Sequence, residues 1–439
     1  MQIYGEGDKF LATKWKKVLE SADDTMEPIS KPEKQYGVAR MLENTRNFLS
    51  TNKTMFSEAA PTNQAGGISG YDQVVISLVR RMGPQILGNQ LVGIQPLTGP
   101  TGLAFAWRPR FNDQVGDEIP LNNAQADFSG LDSAGDRSAA AIATDSASDP
   151  TADTGTGIGS GFTTGTFMGT SEGEGDVTAQ VAMTVDSVPV QAKTRALMSN
   201  FSMEMIQDLA AQHGVDGKAM FGAIMAEQLS SEINYETLRK LYISSVLGCT
   251  DTTTPGVYDL NADTDGVWIG QKGRILAMRI MHEASQIMHK TRTGHGNFAV
   301  VDTKTYNLLT NSGYISDLGP SNAMFTGSSE VVSDTTTAVG MLMGKIRIYR
   351  DDRAQPSNAN SGFVMVGWKG DAEYAAGAFY CPYVPVWTAE TVSPTSGQPV
   401  MFFKTRAGHV ANPLADTNGA FTARSNEFYR LFRVTNILF

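Results

Sequence analysis

"SMEMIQDLAAQHGVDGKAMFGAIMAEQLSSEINYETLRKLYISSV", residues 202–246, carries the strongest helical signal in the chain. The glycines and aspartate of "HGVDG" divide it in two. In the second part Phe221, Ile224, Met225, Leu229, Ile233, Leu238, Leu241 and Tyr242 form one apolar stripe, giving a helix much longer than the usual three turns. A further helix is expected over about residues 273–291, followed by "NFAVVDTKTYNLL" (297–309), a strand that runs into a helix N-terminus. "KIRIYRD" (345–351), "FVMVGWKG" (363–370), "AGAFYCPYVPVW" (376–387), "PVMFFKTRAGHVANP" (399–413) and "FYRLFRVTNI" (428–437) then read as a series of strands.

Upstream of the long helix the pattern is different. "GYDQVVISLVRRMGPQILGNQLVGIQPLTGPTG" (70–102) reads as a short helix ending at Arg80 and Arg81, then Gly and Pro turns, then a strand that "LAFAWRPRF" (103–111) continues. "DVTAQVAMTVDSVPVQAK" (176–193) restores strand alternation through Val177, Val181, Met183 and Val185, as the return limb of a long hairpin arm. Between the limbs, "SAAAIATDSASDPTADTGTGIGSGFTTGTFMGTSEGEG" (138–175) is acidic, close to low complexity and without a strand or helix period. The order is an arm, a long helix, mixed α/β and then β, which makes the fold class α+β.

The first 58 residues form a piece of their own. They hold nine basic and nine acidic side chains, so the net charge of −10 falls on the rest of the chain. Phe10, Leu11, Trp15, Val18 and Leu19 are expected to share one helical face, and Met41, Leu42, Thr45, Phe48 and Leu49 repeat the pattern after the break at "EPISKP" (27–32). The pattern fits either a helical hairpin docked on the main body or a detachable arm that packs on a partner. The seam after it, "MFSEAAPTNQAGG" (55–67), passes from charged to small uncharged residues across Glu58 and Ala59.

Composition excludes several classes. A pI near 5.1 argues against a protein that grips nucleic acid, and no run of about 18 apolar residues offers a membrane span. "MQIYGEGDKF" at the start lacks the cationic and apolar regions of a secretion signal. Two cysteines, Cys249 and Cys381, are too few for a disulfide framework and read as reduced packing residues. "HEASQIMH" places its second histidine, His289, seven residues after His282, not the four that a zincin helix needs. "GTGIGSG" (155–161) has neither a leading strand nor a P-loop lysine, and no nucleophile elbow occurs, so no cofactor, metal site or enzyme activity is expected.

Several blocks, in order, resemble one family. "FLATKWKKVLE" (10–20), "SLVRRMGPQILGNQLVGIQPLTGPTGLAFAWR" (77–108), "AKTRALMSNFSMEMIQDLAAQHGVDG" (192–217), "SSEINYETLRKLY" (230–242), "TRTGHGNFAVVD" (291–302) and the "AGAFYCPYVPV" and "PVMFFKTRAGHVANP" strands are similar to the major capsid protein of T4-like tailed bacteriophages. The resemblance implies an HK97-like coat fold. In it residues 1–58 would be a helical arm and cleavable propeptide, and 59–107 the N-arm and start of the P-domain. Residues 108–195 would be the E-loop with its acidic insertion, and 196–270 the P-domain spine helix. The A-domain would span 271–380, with C-terminal strands at 381–439 returning to the P-domain.

The function so implied is self-assembly, through hexameric capsomers and a scaffolded prohead, into an icosahedral or prolate head shell around double-stranded DNA. Partners would be the scaffold, prohead protease, vertex, portal and decoration proteins, with no sequence-specific DNA binding and no membrane. Assembly in the bacterial cytoplasm and residence in the virion follow. A prohead protease of this family cuts after glutamate in an (Ile/Leu)-x-Glu context, which assigns Glu58 and Ala59, with Phe56 in place of the aliphatic residue. Arg80, Arg81, Arg108 and Arg110 are candidate intersubunit contacts. The stretch 111–175 is shorter and richer in Ser, Thr and Gly than the family's insertion. With no lysine between 54 and 192, the lysine–asparagine isopeptide link of some relatives is closed to this arm. The competing reading is another phage structural subunit, such as a tail sheath or tube protein.

Overall fold

The computed structural model of the chain describes residues 6–20, 32–51, 88–111, 113–114, 170, 174, 179–213, 217–261, 266, 268–317, 336–354, 360–372, 375–392, 398–416 and 418–437. Glu58, Ala59, Arg80, Arg81 and nearly all of the acidic stretch lie outside the described residues.

Two helices, α1 (Glu6–Glu20) and α2 (Pro32–Thr51), form a hairpin around Trp15, Leu19, Val38, Ala39, Met41 and Leu42. Pro32 opens α2, a position where its missing N–H costs nothing. Lys14 reaches Glu43 at 2.8 Å, and the Trp15 indole N–H donates to the same carboxylate at 3.0 Å. Phe10 corrects the expected face, for it is 70% exposed. Leu11, Trp15 and Leu19 recur every fourth residue, and Phe10 sits about 140° around the helix from Trp15. The hairpin lies on the body along β12 (Ala378–Val392), where Asn44 donates to the carbonyls of Leu97 and Tyr383.

An eight-stranded mixed sheet forms the centre of the body. Its order is β5 (Ser245–Leu247), β14 (Asn426–Thr435), β11 (Ser361–Gly367), β7 (Phe298–Asp302), β10 (Ile346–Asp351), β9 (Thr336–Leu342) and β8 (Ile315–Asp317), with β6 (Val257–Asp259) beside β14. Every residue of β7 is buried, as its apolar sequence requires of a strand covered on both faces. Helices α6 (Ile269–Thr291) and α7 (Thr303–Asn311) cover one face, packing Leu276, Ile280, Ile287 and Leu308 on Val301, Ile348, Val364 and Phe432. Asp302 caps α7 by accepting from the Lys304 amide.

On the other face lie the long helix α5 (Gly217–Ser244), the short α3 (Gly88–Leu91) and part of a second sheet, which bury Leu91, Ile233, Leu238, Leu241 and Tyr380 against Val300, Tyr349, Met365 and Tyr429. Helix α4 (Met203–His213) precedes α5, and the break between them falls at "HGVDG" as expected. Ile224 is a second correction, half exposed because the buried row is Met225, Leu229 and Ile233, one residue over.

The second sheet has the order β1 (Gly93–Ile94), β12, β13 (Pro399–Ala411) and β4 (Lys193–Asn200). A third, two-stranded sheet pairs β2 (Thr101–Phe111) with β3 (Val181–Gln191) over eleven residues each. The strands expected from 103–111, 176–193, 297–302, 345–351, 363–370, 376–387, 399–413 and 428–437 all form, and β4, β5, β6, β8 and β9 add to them. Residues 107, 195, 270 and 380 lie inside β2, β4, α6 and β12, and the last strand, β14, pairs with β11 in the main sheet. Composition changes at loops and surfaces, whereas backbone pairing runs through it.

A candidate assembly surface on the hairpin arm

The β2–β3 hairpin has two unlike faces, set by the two-residue period of a strand. Leu103, Phe105, Val181, Met183 and Val185 project from one face, and each is more than half exposed. Phe111, at the far end of that face, is buried. The opposite face is seated at its base. Ala104, Val188 and Val190 pack with Leu97 of the preceding loop and with Phe379, Cys381 and Val410 of the small sheet. Gly419, at φ +63°, lies so close to Val188 and Val410 that a side chain there would collide with both.

Arg108 anchors this seat. Only 7% exposed, it pairs with Asp186 of β3 at 2.8 Å and donates to the carbonyl of Pro413. Arg110 follows two residues on and contacts Thr184 Oγ1 at 3.3 Å, while Thr184 donates to the Arg108 carbonyl at 3.4 Å. Of the four arginines read as intersubunit contacts, Arg108 is thus engaged within the chain, and Arg110 sits beside it. The Arg108 charge fixes the arm to its own body, while apolar residues around it face out.

Two polar clusters tie the body together, and the sequence reading passed over both. Glu283, 1% exposed on α6, accepts from Arg430 Nε of β14 at 2.7 Å, pairs with Arg279 at 2.9 Å and accepts the Cys249 amide at 3.0 Å. The histidine spacing of "HEASQIMH" gives no sign that Glu283 is its consequential residue. Arg279 four residues earlier was a visible helical ion pair, but Arg430 lies 147 positions away. Burial, reinforced by the Glu283 charge, pushes the Cys249 thiol up to about 12, and burial alone does the same to Cys381. Both cysteines are free and buried, as packing residues should be.

The second cluster locks α5 to the small sheet. Arg195 of β4 pairs with Glu232 and Glu236, Lys240 reaches Glu236 at 2.5 Å, and His409 Nε2 of β13 lies 3.0 Å from Thr237 Oγ1. Burial pushes His409 down to about 3, helped by the Lys240 and Arg195 charges against Glu236. Among the described residues no group of His, Cys, Asp or Glu is arranged to hold a metal, and no helix is long and apolar enough to cross a membrane. What the described surface offers is a long apolar face on an anchored arm.

The sequence profile of the family described as major capsid protein Gp23 matches residues 68–434, most of the chain and every element of the body from β1 to β13. The chain belongs to that family. As a Gp23-family coat protein it is 28% identical to the major capsid protein of Vibrio phage KVP40, covering 95% of each chain. Its identity to the major capsid protein of Salmonella phage ViI is 29%, covering 91% of this chain and 89% of that one. With the major capsid protein of Enterobacteria phage T4 it shares 28% identity over 80% of this chain and 77% of that one. Among solved structures, the capsid of Myoviridae Phage XM1 is similar at a TM-score of 0.42 and 10% identity, covering 80% of this chain and 92% of that one. The protein is a major capsid protein of the T4-like phages, a structural subunit of the virion.

Proposed function

We propose that this coat subunit assembles through hexameric capsomers of HK97-like architecture into a closed icosahedral or prolate head around double-stranded DNA, with the β2–β3 arm laid over the body of the neighbouring copy. The observation that carries this reading is the apolar outer face of the arm, Leu103, Phe105, Val181, Met183 and Val185, on a two-stranded ribbon anchored at one end. A two-stranded ribbon alone is marginal in water, so an exposed apolar face on one is best explained by a partner. Identical copies close into a shell when such contacts repeat head to tail around rings.

In this reading the α1–α2 hairpin serves during assembly on a scaffold inside the bacterial cytoplasm, and a prohead protease removes it between Glu58 and Ala59. Support comes from the hairpin's separate small core and the small uncharged residues that follow Glu58. Vertex, portal and decoration proteins would complete the head. The subunit has no catalytic task, and DNA is enclosed by an acidic protein without sequence-specific contacts.

Cryo-electron microscopy of purified particles, with the intact subunit mass from the same sample, tests both parts. Closed shells in which residues 103–107 and 181–185 of each copy are covered by a neighbour support the arm reading, while filaments or small soluble oligomers sink it. A mass beginning at Ala59 assigns the cut; full-length chains in mature shells remove the propeptide claim and leave the shell.

A further inference from the structure

The charge of this chain is unevenly placed. Residues 112–175 hold eleven carboxylates and one arginine, so their formal charge of −10 equals that of the whole chain, and everything else sums to zero. One end of the eight-stranded sheet has the opposite character. There the last turn of α6 and the loop after it bring Lys290, Arg292 and His295 to the surface, and the β9–β10 turn adds Lys345 and Arg347. Backbone contacts draw these segments together: the Arg347 amide donates to the Asn297 carbonyl at 3.0 Å. The Asn297 side chain clasps the Lys369 backbone, donating at 2.5 Å and accepting at 3.1 Å. Gly294 lies against the Trp368 indole with no room for a side chain, which holds the cationic loop on the sheet end. Among the described residues the flanking acids are Asp371 and Glu427. Along α6 the one carboxylate, Glu283, is turned inward to Arg279 and Arg430, so the helix adds no exposed negative charge.

We infer that this cationic sheet end docks the acidic 112–175 segment of a second copy. The inference rests on the shell reading above, because it requires copies side by side. Every subunit of a shell supplies one segment and one sheet end, so the two are present in equal number, and their opposite charges favour pairing. A contact of this kind sets the register of neighbouring copies more than the strength of their association, and salt screens it.

The test is zero-length carbodiimide coupling, which joins a carboxylate to a lysine in contact, on shells assembled from a mixture of unlabelled and 15N-labelled subunits. Because no lysine occurs from 54 to 192, any link from residues 112–175 must leave the segment. Mixed-isotope peptides joining that segment to Lys290, Lys345 or Lys369 are expected, with a yield that falls several-fold as salt rises from about 0.05 to 0.5 M. In the triple variant Lys290→Glu, Lys345→Glu, Lys369→Glu, shells should come apart at lower salt. Links only within one copy, links to other lysines, or none in intact shells overturn the inference while leaving the shell reading standing. Lysines at these positions that are shielded from acetylation in DNA-filled but not in empty shells, with no coupling, assign the surface to DNA and overturn it as well. Failure to form shells counts against the shell reading instead.

Discussion

The two-stranded arm and the eight-stranded sheet are built from the same kinds of residue and end in opposite states. In β7 all five residues are buried, with helices on one face and α5 and the small sheet on the other. In β3 burial is confined to Val188 and Val190 at the base, and the outward residues are exposed along the whole strand. Burying an apolar side chain is worth about 1.5–3 kcal/mol, so the core sheet has realised inside one chain what the arm leaves unused until another surface arrives. Covering a face is a tertiary event, and in this protein one sheet is covered by its own chain and one keeps an open apolar face.

That contrast makes separable predictions. The largest effect should come from Glu283→Ala, which strands Arg430 beside a buried gap, while Arg279 keeps its pairing with Asp251. Removing one partner of a buried pair costs about 3–5 kcal/mol, so chemical unfolding of the subunit should show a loss of that order; a loss below about 1 kcal/mol would show that the cluster holds little. Phe105→Asp on the arm should leave the unfolding of the subunit within about 0.5 kcal/mol of the parent, yet remove roughly 1.5–3 kcal/mol from each inter-copy contact. Light scattering should then show shell yield falling at least tenfold. Equal damage to folding and assembly would erase the distinction between the two sheets.

A pH titration sharpens the comparison from the core side. His409 binds its proton in the folded state only near pH 3, whereas the unfolded chain takes it up near 6.5. Between those values the unfolded state holds more protons, so stability is full above about pH 6.5 and falls as pH drops, by up to about 1.4 kcal/mol per unit. Urea midpoints from pH 7 to 4 should show this slope, and His409→Asn should flatten it. At the small end, Phe10→Ser should change stability by no more than about 0.5 kcal/mol, because the ring already stands in water. A larger loss would place Phe10 in a contact that one chain by itself does not make.

How far the sequence reached depended on the range of the interaction. Strands β2, β7, β10 and β11, and the interruption of the long helix, were legible because periodicity and glycine placement act over a few residues. Stripe width was read too generously: Phe10 and Ile224 each lie one residue beside the buried row, a difference of about 100° that apolar content does not report. The bond that fixes Arg108 within the chain is beyond sequence pattern, for its acceptor, the Pro413 carbonyl, lies 305 positions away.

By itself the sequence determined the local elements, the hairpin that bears the acidic stretch, and membership of a coat family, since each is encoded in short-range pattern or in blocks of residues kept in order. The tertiary structure decided which strands share a sheet, that β14 returns beside β11, that Glu283 joins α6 to the last strand, and which face of the arm is left open. Those outcomes depend on contacts between residues far apart in the sequence, 147 positions in the case of Arg430 and Glu283. Their energies arise only when burial removes water from both partners at once.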